Sequence, residues 1–259
     1  MLFRSAIKAI DTLIGGEGAD SLDGGGGVNQ VDYSGAGGAV TVDLAAGSGA
    51  GSDAAGDVYT NIQNILGSAQ NDSLVGNGDT NEIDGAAGDD TLIGGAGADI
   101  LRGGIGIDLA DYSASGSAVT INLDLEQGNG GDANGDALIG IENVTGSASG
   151  DELIGDGLTN VLRGEFGNDI LSGAGGDDSL LGGDGADTLS GDSGADTLDG
   201  GDALDTVSYA SSAGAVTVNL SAGTTSGGDA VGDVLISIEN VERSGEHTSE
   251  LQSLTNLVC

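Results

Sequence analysis

The stretch that decides the fold runs from Gly164 to Ser208 and reads GEFGNDILS, GAGGDDSLL, GGDGADTLS, GDSGADTLD, GGDALDTVS. Five nine-residue units follow one another without a slip of register. Each opens on Gly, carries Asp at its sixth place and holds Leu or Val at its eighth. Gly allows a sharp turn with positive φ and close backbone approach. The Asp brings a hard anionic oxygen. The apolar eighth place, flanked by polar neighbours, is the centre of a short strand with one buried face. A three-residue strand cannot bury itself alone, so it must stack on other units.

The same beat occurs twice more. A short run covers GGEGADSLD and GGGGVNQVD, and Asp11-Thr12-Leu13-Ile14 has the form of the tail of a preceding unit. A second run spans Gly67 to Asp111, and the third begins at Gly146. The acid places are Asp20, Asp72, Asp90, Asp99, Asp108, Asp151, Asp169, Asp178, Asp187, Asp196 and Asp205, with Asn at 29, 81 and 160. Two units make one coil of eighteen residues, so unit n lies beside unit n+2 and their turns face one another. Between the runs lies a longer repeat. It opens at Tyr33, Tyr112 and Tyr209, continues into strands such as Val40-Thr41-Val42, and passes through Gly/Asp loops to Asp57, Asp136 and Asp233. The interval from Tyr to Asp is the same in all three copies. These Asp residues read either as ligands or as turn formers. Asn64, Asn143 and Asn240 follow, again at one fixed interval from the Tyr. No helix signal stands out.

The chain thus divides into an irregular or non-native start (1–10), a short run (11–32), a β spacer (33–66), a roll (67–111), a spacer (112–145), a roll (146–208), a spacer (209–242) and a tail (243–259). The fold class is all-β: a parallel β-roll or solenoid with interleaved β-strand spacers.

Composition narrows the function. Asp and Glu number 42 against 5 Lys and Arg, a formal charge of -37. That excludes nucleic acid and anionic membrane surfaces as partners and favours cations, which relieve self-repulsion. Such a charge with 2% aromatics is also the composition of disordered chains, but a disordered linker has no reason to keep a nine-residue register. No apolar run is long enough to span a membrane. Carboxylate and carbonyl oxygens in quantity suit calcium. Magnesium demands stricter octahedral geometry, and zinc requires Cys or His, which the runs lack. One buried Leu per nine ordered residues does not offset the ordering entropy, so folding is expected to require the ion.

The units resemble the repeats-in-toxin (RTX) family, whose signature is G-G-x-G-x-D-x-U-x. GGAGADILR (Gly94–Arg102) and GGDGADTLS (Gly182–Ser190) match every required place. The resemblance covers roughly residues 11 to 242. It implies a right-handed parallel β-roll, Ca2+ as cofactor, and a bacterial protein exported by a type I system and folded outside the cell, where it is secreted or held at the surface. It implies facing ligand pairs Asp169 with Asp187, Asp178 with Asp196, Asp187 with Asp205, Asp72 with Asp90, and Asp90 with Asp108. The Asn units should be weak or empty, and Asn81 and Asn160, each second in its run, suggest an entry cap.

The leading functional reading is a non-catalytic calcium-binding roll segment of a larger secreted protein. A cell-surface or extracellular-matrix partner would be reached through that parent. The alternatives are the roll region of an extracellular hydrolase (protease, lipase or phosphatase) and a repeat array of an adhesin or surface-layer protein. No HExxH, GxSxG or nucleophile–base pairing occurs. The ends read as foreign: Arg243 to Ser253 (RSGEHTSELQS) and Leu2 to Ser5 resemble translated sequencing adapter, which would leave His247 and Cys259 without chemistry.

Overall fold

The computed structural model describes residues 2–4 and 11–243. The chain divides into two compact units, residues 1–153 and 154–259. In both, nearly every strand is short and buries its central residue, as an eighth-place Leu between polar neighbours requires. Thr91–Ile93, Thr188–Ser190 and Ile170–Ser172 are examples.

Within the first unit the nonapeptides pair in parallel with a step of eighteen. Leu74 lies opposite Leu92, and Ile83 opposite Leu101. Units alternate between two sheets, one holding Ser73–Val75, Thr91–Ile93 and Leu109–Asp111, the other Glu82–Ala87 and Ile100–Ile105. Within the second unit the same step sets Leu162 against Leu180, Leu180 against Leu198, and Leu171 against Leu189. All of these Leu and Ile side chains are buried. The parallel coil expected from the nine-residue register is therefore present in each unit, and the fold is all-β. Some strands run to six residues, such as Ser179–Asp184 and Thr197–Asp202. Pairing there continues from the apolar places into the next turn, with Gly183 opposite Gly201.

The spacers lengthen the step without breaking the roll. Leu22 pairs with Tyr59, Leu101 with Leu138 and Leu198 with Leu235, at one constant step. Val31 pairs with Ile65, Ala110 with Val144 and Val207 with Val241, at a second constant step that is slightly shorter. The excess chain is taken up by an antiparallel hairpin that is itself part of the sheet, its second strand pairing with the strand that follows the 3-10 turn. Thr41–Asp43 pairs with Ser48–Ala50, Thr120–Asn122 with Gln127–Asn129, and Thr217–Asn219 with Thr224–Ser226.

Three features differ from the sequence expectation. Each Gly/Asp loop contains a 3-10 turn, at Ser52–Ala54, Gly131–Ala133 and Gly228–Ala230. A positive-φ Gly precedes each turn and tucks a fully buried Ala under the hairpin. The last strand, Asn240–Arg243, includes Arg243, placed above in the tail; it lies opposite Tyr209. Leu2–Arg4 forms a strand parallel to Ser21–Asp23 rather than an irregular start. His247 and Cys259 lie outside the described residues.

Candidate metal centre

Every strand of the roll is entered through a turn whose sixth residue is the Asp or Asn of the repeat. These side chains point inward and are almost wholly buried. They form ladders along the coil. Inside a run, the backbone N–H of a sixth residue donates to Oδ1 of the sixth residue eighteen further on. Asp72 N–H to Asp90 is 2.7 Å and Asp90 N–H to Asp108 is 2.8 Å. In the second unit Asp178 to Asp196 is 2.9 Å, and Asp169 to Asp187 and Asp187 to Asp205 are 2.8 Å. The facing pairs implied by the family resemblance are thus adjacent in the coil for each of these residues.

The other carboxylate oxygen separates the turns into two kinds. In the open kind, Oδ2 of Asp90, Asp99, Asp108, Asp178, Asp187, Asp196 and Asp205 is buried with no hydrogen-bond partner. The second residue of every one of these turns has positive φ, even where it is not Gly: Ala86 at 74°, Ala174 at 70° and Asp192 at 61°. A non-Gly residue in this region costs about 1–2 kcal/mol. In these seven turns the second-residue N–H makes no hydrogen bond to Oδ2.

In the closed kind, that N–H stays with the sixth side chain. Ser68 N–H donates to Asp72 Oδ2 (2.5 Å), while the Ser68 hydroxyl donates to Oδ1 (2.8 Å). Ser147 holds Asp151 in the same way, at 2.5 and 2.9 Å. Asn77 N–H donates to Asn81 Oδ1 and Asp156 N–H to Asn160 Oδ1, both at 2.8 Å. Asn81 further donates through Nδ2 to the Gln63 carbonyl, 2.6 Å away. The closed turns are the first two of the second and third runs. Asp72 and Asp151, placed among the ligands by the repeat pattern, therefore have both oxygens occupied by protein donors.

The open turns suit a hard cation. A Cβ built on Gly85 would collide with Asp90 Oδ2 and approach the Gly103 carbonyl oxygen to 2.7 Å. On Gly182 it would collide with Asp187 Oδ2 and approach the Gly200 carbonyl oxygen to 2.5 Å. At these two turns a carboxylate oxygen and a main-chain carbonyl thus converge on a niche that Gly keeps clear. The closed turn at Gly67 has the same convergence, so what sets Asp90 and Asp187 apart is that Oδ2 has no partner. An all-oxygen donor set of this sort fits Ca2+. Among the described residues no group of three or more His, Cys, Asp or Glu side chains is gathered, so carbonyls must complete any coordination shell.

Electrostatics agree. Burial, with a smaller contribution from Asp72 and Asp108, pushes Asp90 up to about 7. Burial and the nearby Asp196 push Asp178 up to about 7. Asp108 and Asp196 rise to about 6, again chiefly through burial, and Asp99, Asp187 and Asp205 are raised for the same reason. A buried anion without a counterion is costly; a bound cation reverses the balance.

The spacers end the ladders. Asp57, Asp136 and Asp233 accept at Oδ1 from the N–H of Asp20 (2.7 Å), Asp99 (2.8 Å) and Asp196 (3.1 Å). At Oδ2 they accept from the buried hydroxyls of Tyr33 (2.6 Å), Tyr112 (2.9 Å) and Tyr209 (2.7 Å). This bond accounts for the constant Tyr-to-Asp interval of 24 residues. Burial, reinforced by the Asp partners, pushes all three Tyr well above their ordinary range. The other ladder ends on Gln63, Glu142 and Glu239, whose side-chain oxygens accept from Asn29, Asp108 and Asp205 at 3.0, 2.8 and 2.9 Å.

Several of these residues escaped the sequence reading. Gln63, Glu142 and Glu239 share a signal, since each immediately precedes the recurring Asn64, Asn143 or Asn240. Asp11, at the sixth place of the fragmentary first unit, has a buried Oδ2 without a hydrogen-bond partner. An outer row at the fifth place also stitches the turns. Asn71 accepts from Asp89 N–H and Asp89 from Ile107 N–H, both at 3.0 Å.

With this geometry in view, comparison with known families is decisive. The RTX calcium-binding nonapeptide repeat, taken in four copies, matches residues 9–37, 62–92, 75–110, 145–180, 154–189 and 181–211. These matches cover more than half of the chain, which belongs to this family of calcium-binding repeats, and calcium is its ion. No curated protein matches the chain significantly.

Proposed function

We propose that the chain is a non-catalytic module of a secreted bacterial protein, and that calcium binding outside the cell drives its folding. The ligands are Asp90, Asp99, Asp108, Asp178, Asp187, Asp196 and Asp205, each supplying Oδ2, together with first-place carbonyls such as those of Gly103 and Gly200. Asp20 and Asp169 join the set by register. Asp72 and Asp151 do not ligate, because Ser68 and Ser147 already hold their oxygens.

One observation carries this reading: buried, unpartnered carboxylate oxygens coincide with the turns whose second residue adopts positive φ. When bound, calcium supplies the positive charge that these oxygens lack. The chain's own residues hold the oxygens in place through the N–H···Oδ1 ladder and keep the niche free of side chains. Extracellular calcium, abundant relative to the cytoplasm, would separate an extended, self-repelling chain before export from a closed roll after it. The family's association with secreted bacterial proteins supports the location.

The test is a calcium titration of the full chain followed by far-UV circular dichroism, with magnesium as control. A β signal should grow with calcium and not with magnesium. The triple variant Asp178→Ala, Asp187→Ala, Asp196→Ala should bind fewer ions by equilibrium dialysis. Equal compactness in excess chelator, or unchanged ion uptake by the triple variant, would overturn the proposal.

A further inference from the structure

We propose that Ser68 and Ser147 take the place of a cation, so that the head of each long run is closed without calcium and serves as the template on which the open turns assemble. This rests on the reading of the open turns as ion sites and adds which turns need no ion. Asp72 receives three protein donors: Ser68 N–H and hydroxyl, and the N–H of Val40 at 2.8 Å. Asp151 receives the matching set, from Ser147 and from Val119 N–H at 2.7 Å. A buried carboxylate with three donors is satisfied. Neither Asp has an orphan oxygen, in contrast to Asp90 and Asp108 in the same ladder as Asp72.

The third donor ties the clamp to the spacer. Val40 precedes the hairpin strand Thr41–Asp43, which pairs in parallel with Ser73–Val75, and Ser73 N–H donates to the Val40 carbonyl at 3.0 Å. The following Asn81 turn is also closed by protein groups: Asn77 N–H donates to its Oδ1, and its Nδ2 donates to the Gln63 carbonyl. Residues 33–84 are thus one stretch in which the sixth-place side chains are met by protein groups. Its core is denser than that of the open turns: the spacer buries Tyr33, Val42, Tyr59 and Ile65 among others, whereas residues 85–111 bury a single apolar side chain per nonapeptide. Residues 112–153 repeat the spacer and the first closed turn. The coil grows from such a cassette because Asp72 N–H already faces the position that Asp90 Oδ1 must occupy.

Hydrogen exchange read by mass spectrometry on the full chain tests this, in EGTA and in calcium. In EGTA, peptides from 67–84 should exchange about tenfold or more slowly than peptides from 85–111, the margin of at least one hydrogen bond to a charged group. Equal, fast exchange of both in EGTA overturns the proposal. Ser68→Ala with Ser147→Ala should erase most of that difference in EGTA and leave the number of bound calcium ions unchanged by equilibrium dialysis. A lower ion count would show that these turns ligate calcium through Ser and Asp together, which also overturns it. If calcium adds no protection to 85–111, the ion reading itself fails, while the EGTA comparison still decides the serine clamp.

Discussion

Replacing Asp187 by Asn should move the protein in opposite directions with and without calcium. Asp187 Oδ1 accepts the Asp169 N–H at 2.8 Å, and an amide oxygen can keep that bond. Oδ2 is buried without a hydrogen-bond partner and adjoins the niche bounded by the Gly200 carbonyl. An amide nitrogen there is a donor beside an acceptor, the arrangement that Asn81 already shows with the Gln63 carbonyl at 2.6 Å. In chelator the variant loses an orphan acceptor, whose cost is about 1–3 kcal/mol, and loses one charge from a row whose neighbour Asp205 raises its pKa. The calcium-free fold should therefore gain about 1–3 kcal/mol, or roughly 2–4 °C in melting temperature per kcal/mol for a chain of this size. In calcium the sign reverses, because an anionic ligand is gone and the calcium midpoint of folding rises. The assay is a pair of circular dichroism melts, one in EGTA with an osmolyte that strengthens burial and one at saturating calcium. Destabilisation in both conditions would show that Oδ2 is satisfied by the protein and that the niche is not an ion site.

Three further outcomes follow from the same geometry. Tyr112→Phe removes the 2.9 Å donor to Asp136; loss of a hydrogen bond to a charged group should cost about 1.5–3 kcal/mol, read by urea unfolding in saturating calcium, and no loss would mean that Asp136 finds another donor. Leu189→Ala empties a fully buried site and should cost about 2–5 kcal/mol, whereas Ile105→Ala, at 78% exposure, should stay within about 0.5 kcal/mol; equal effects would contradict the inward stacking of the eighth place. The pH dependence follows from Asp90 and Asp178, both raised to about 7 by burial from an ordinary value near ~4. Between these values the calcium-free fold holds more protons than the unfolded chain, so its stability is greatest below pH ~4 and is lost as pH rises through about 7. Calcium must displace those protons, so the calcium midpoint should fall as pH rises from about 5 to about 8; a midpoint independent of pH would remove these carboxylates from the site.

Much of the coil was legible because a nine-residue register has one parallel solution. Leu and Ile at the eighth place must share an interior, and the step of eighteen between Ile83 and Leu101 follows from placing two units in each coil. The closed Asn turns were legible from the sixth-place residue itself. The closed Asp turns were not, because the second-place Ser68 and Ser147 that hold Asp72 and Asp151 reveal their role only once the turn geometry is known. Asp192 and Asp156 both occupy second places; with Asn160 at the sixth place Asp156 donates its N–H to that side chain, whereas Asp192 adopts φ 61° and the Asp196 oxygen stays bare. Glu165 and Ala174 also adopt positive φ at second places, where Gly is the residue a sequence reading expects. The spacer partners were hidden for another reason. The fixed interval from Tyr112 to Asp136 is visible in the sequence, but its meaning depends on how far the intervening hairpin folds back, which pairing alone determines.

The two kinds of turn explain why spacers interrupt the runs at all. An uninterrupted ladder of buried carboxylates accumulates like charge with every coil, and each added Asp raises the cost of its neighbours, as Asp72 and Asp108 do for Asp90. A spacer ends the row with groups that need no ion: Tyr112 neutralises the demand at Asp136, while Glu142 accepts the last N–H of the other ladder. The serine-clamped turn that follows a spacer then begins a row from a satisfied carboxylate, as Asp72 does for Asp90 and Asp108. Row length is thereby limited to a few buried carboxylates, and in the 67–111 run each row starts on a turn closed by protein groups and ends on a spacer side chain. Lengthening the 67–111 run by two copies of GGDGADTLS should therefore raise the calcium concentration needed to close it, whereas inserting a further spacer with its serine turn between the copies should restore the original midpoint; equal midpoints for both insertions would show that repulsion along the row is not what the spacers relieve.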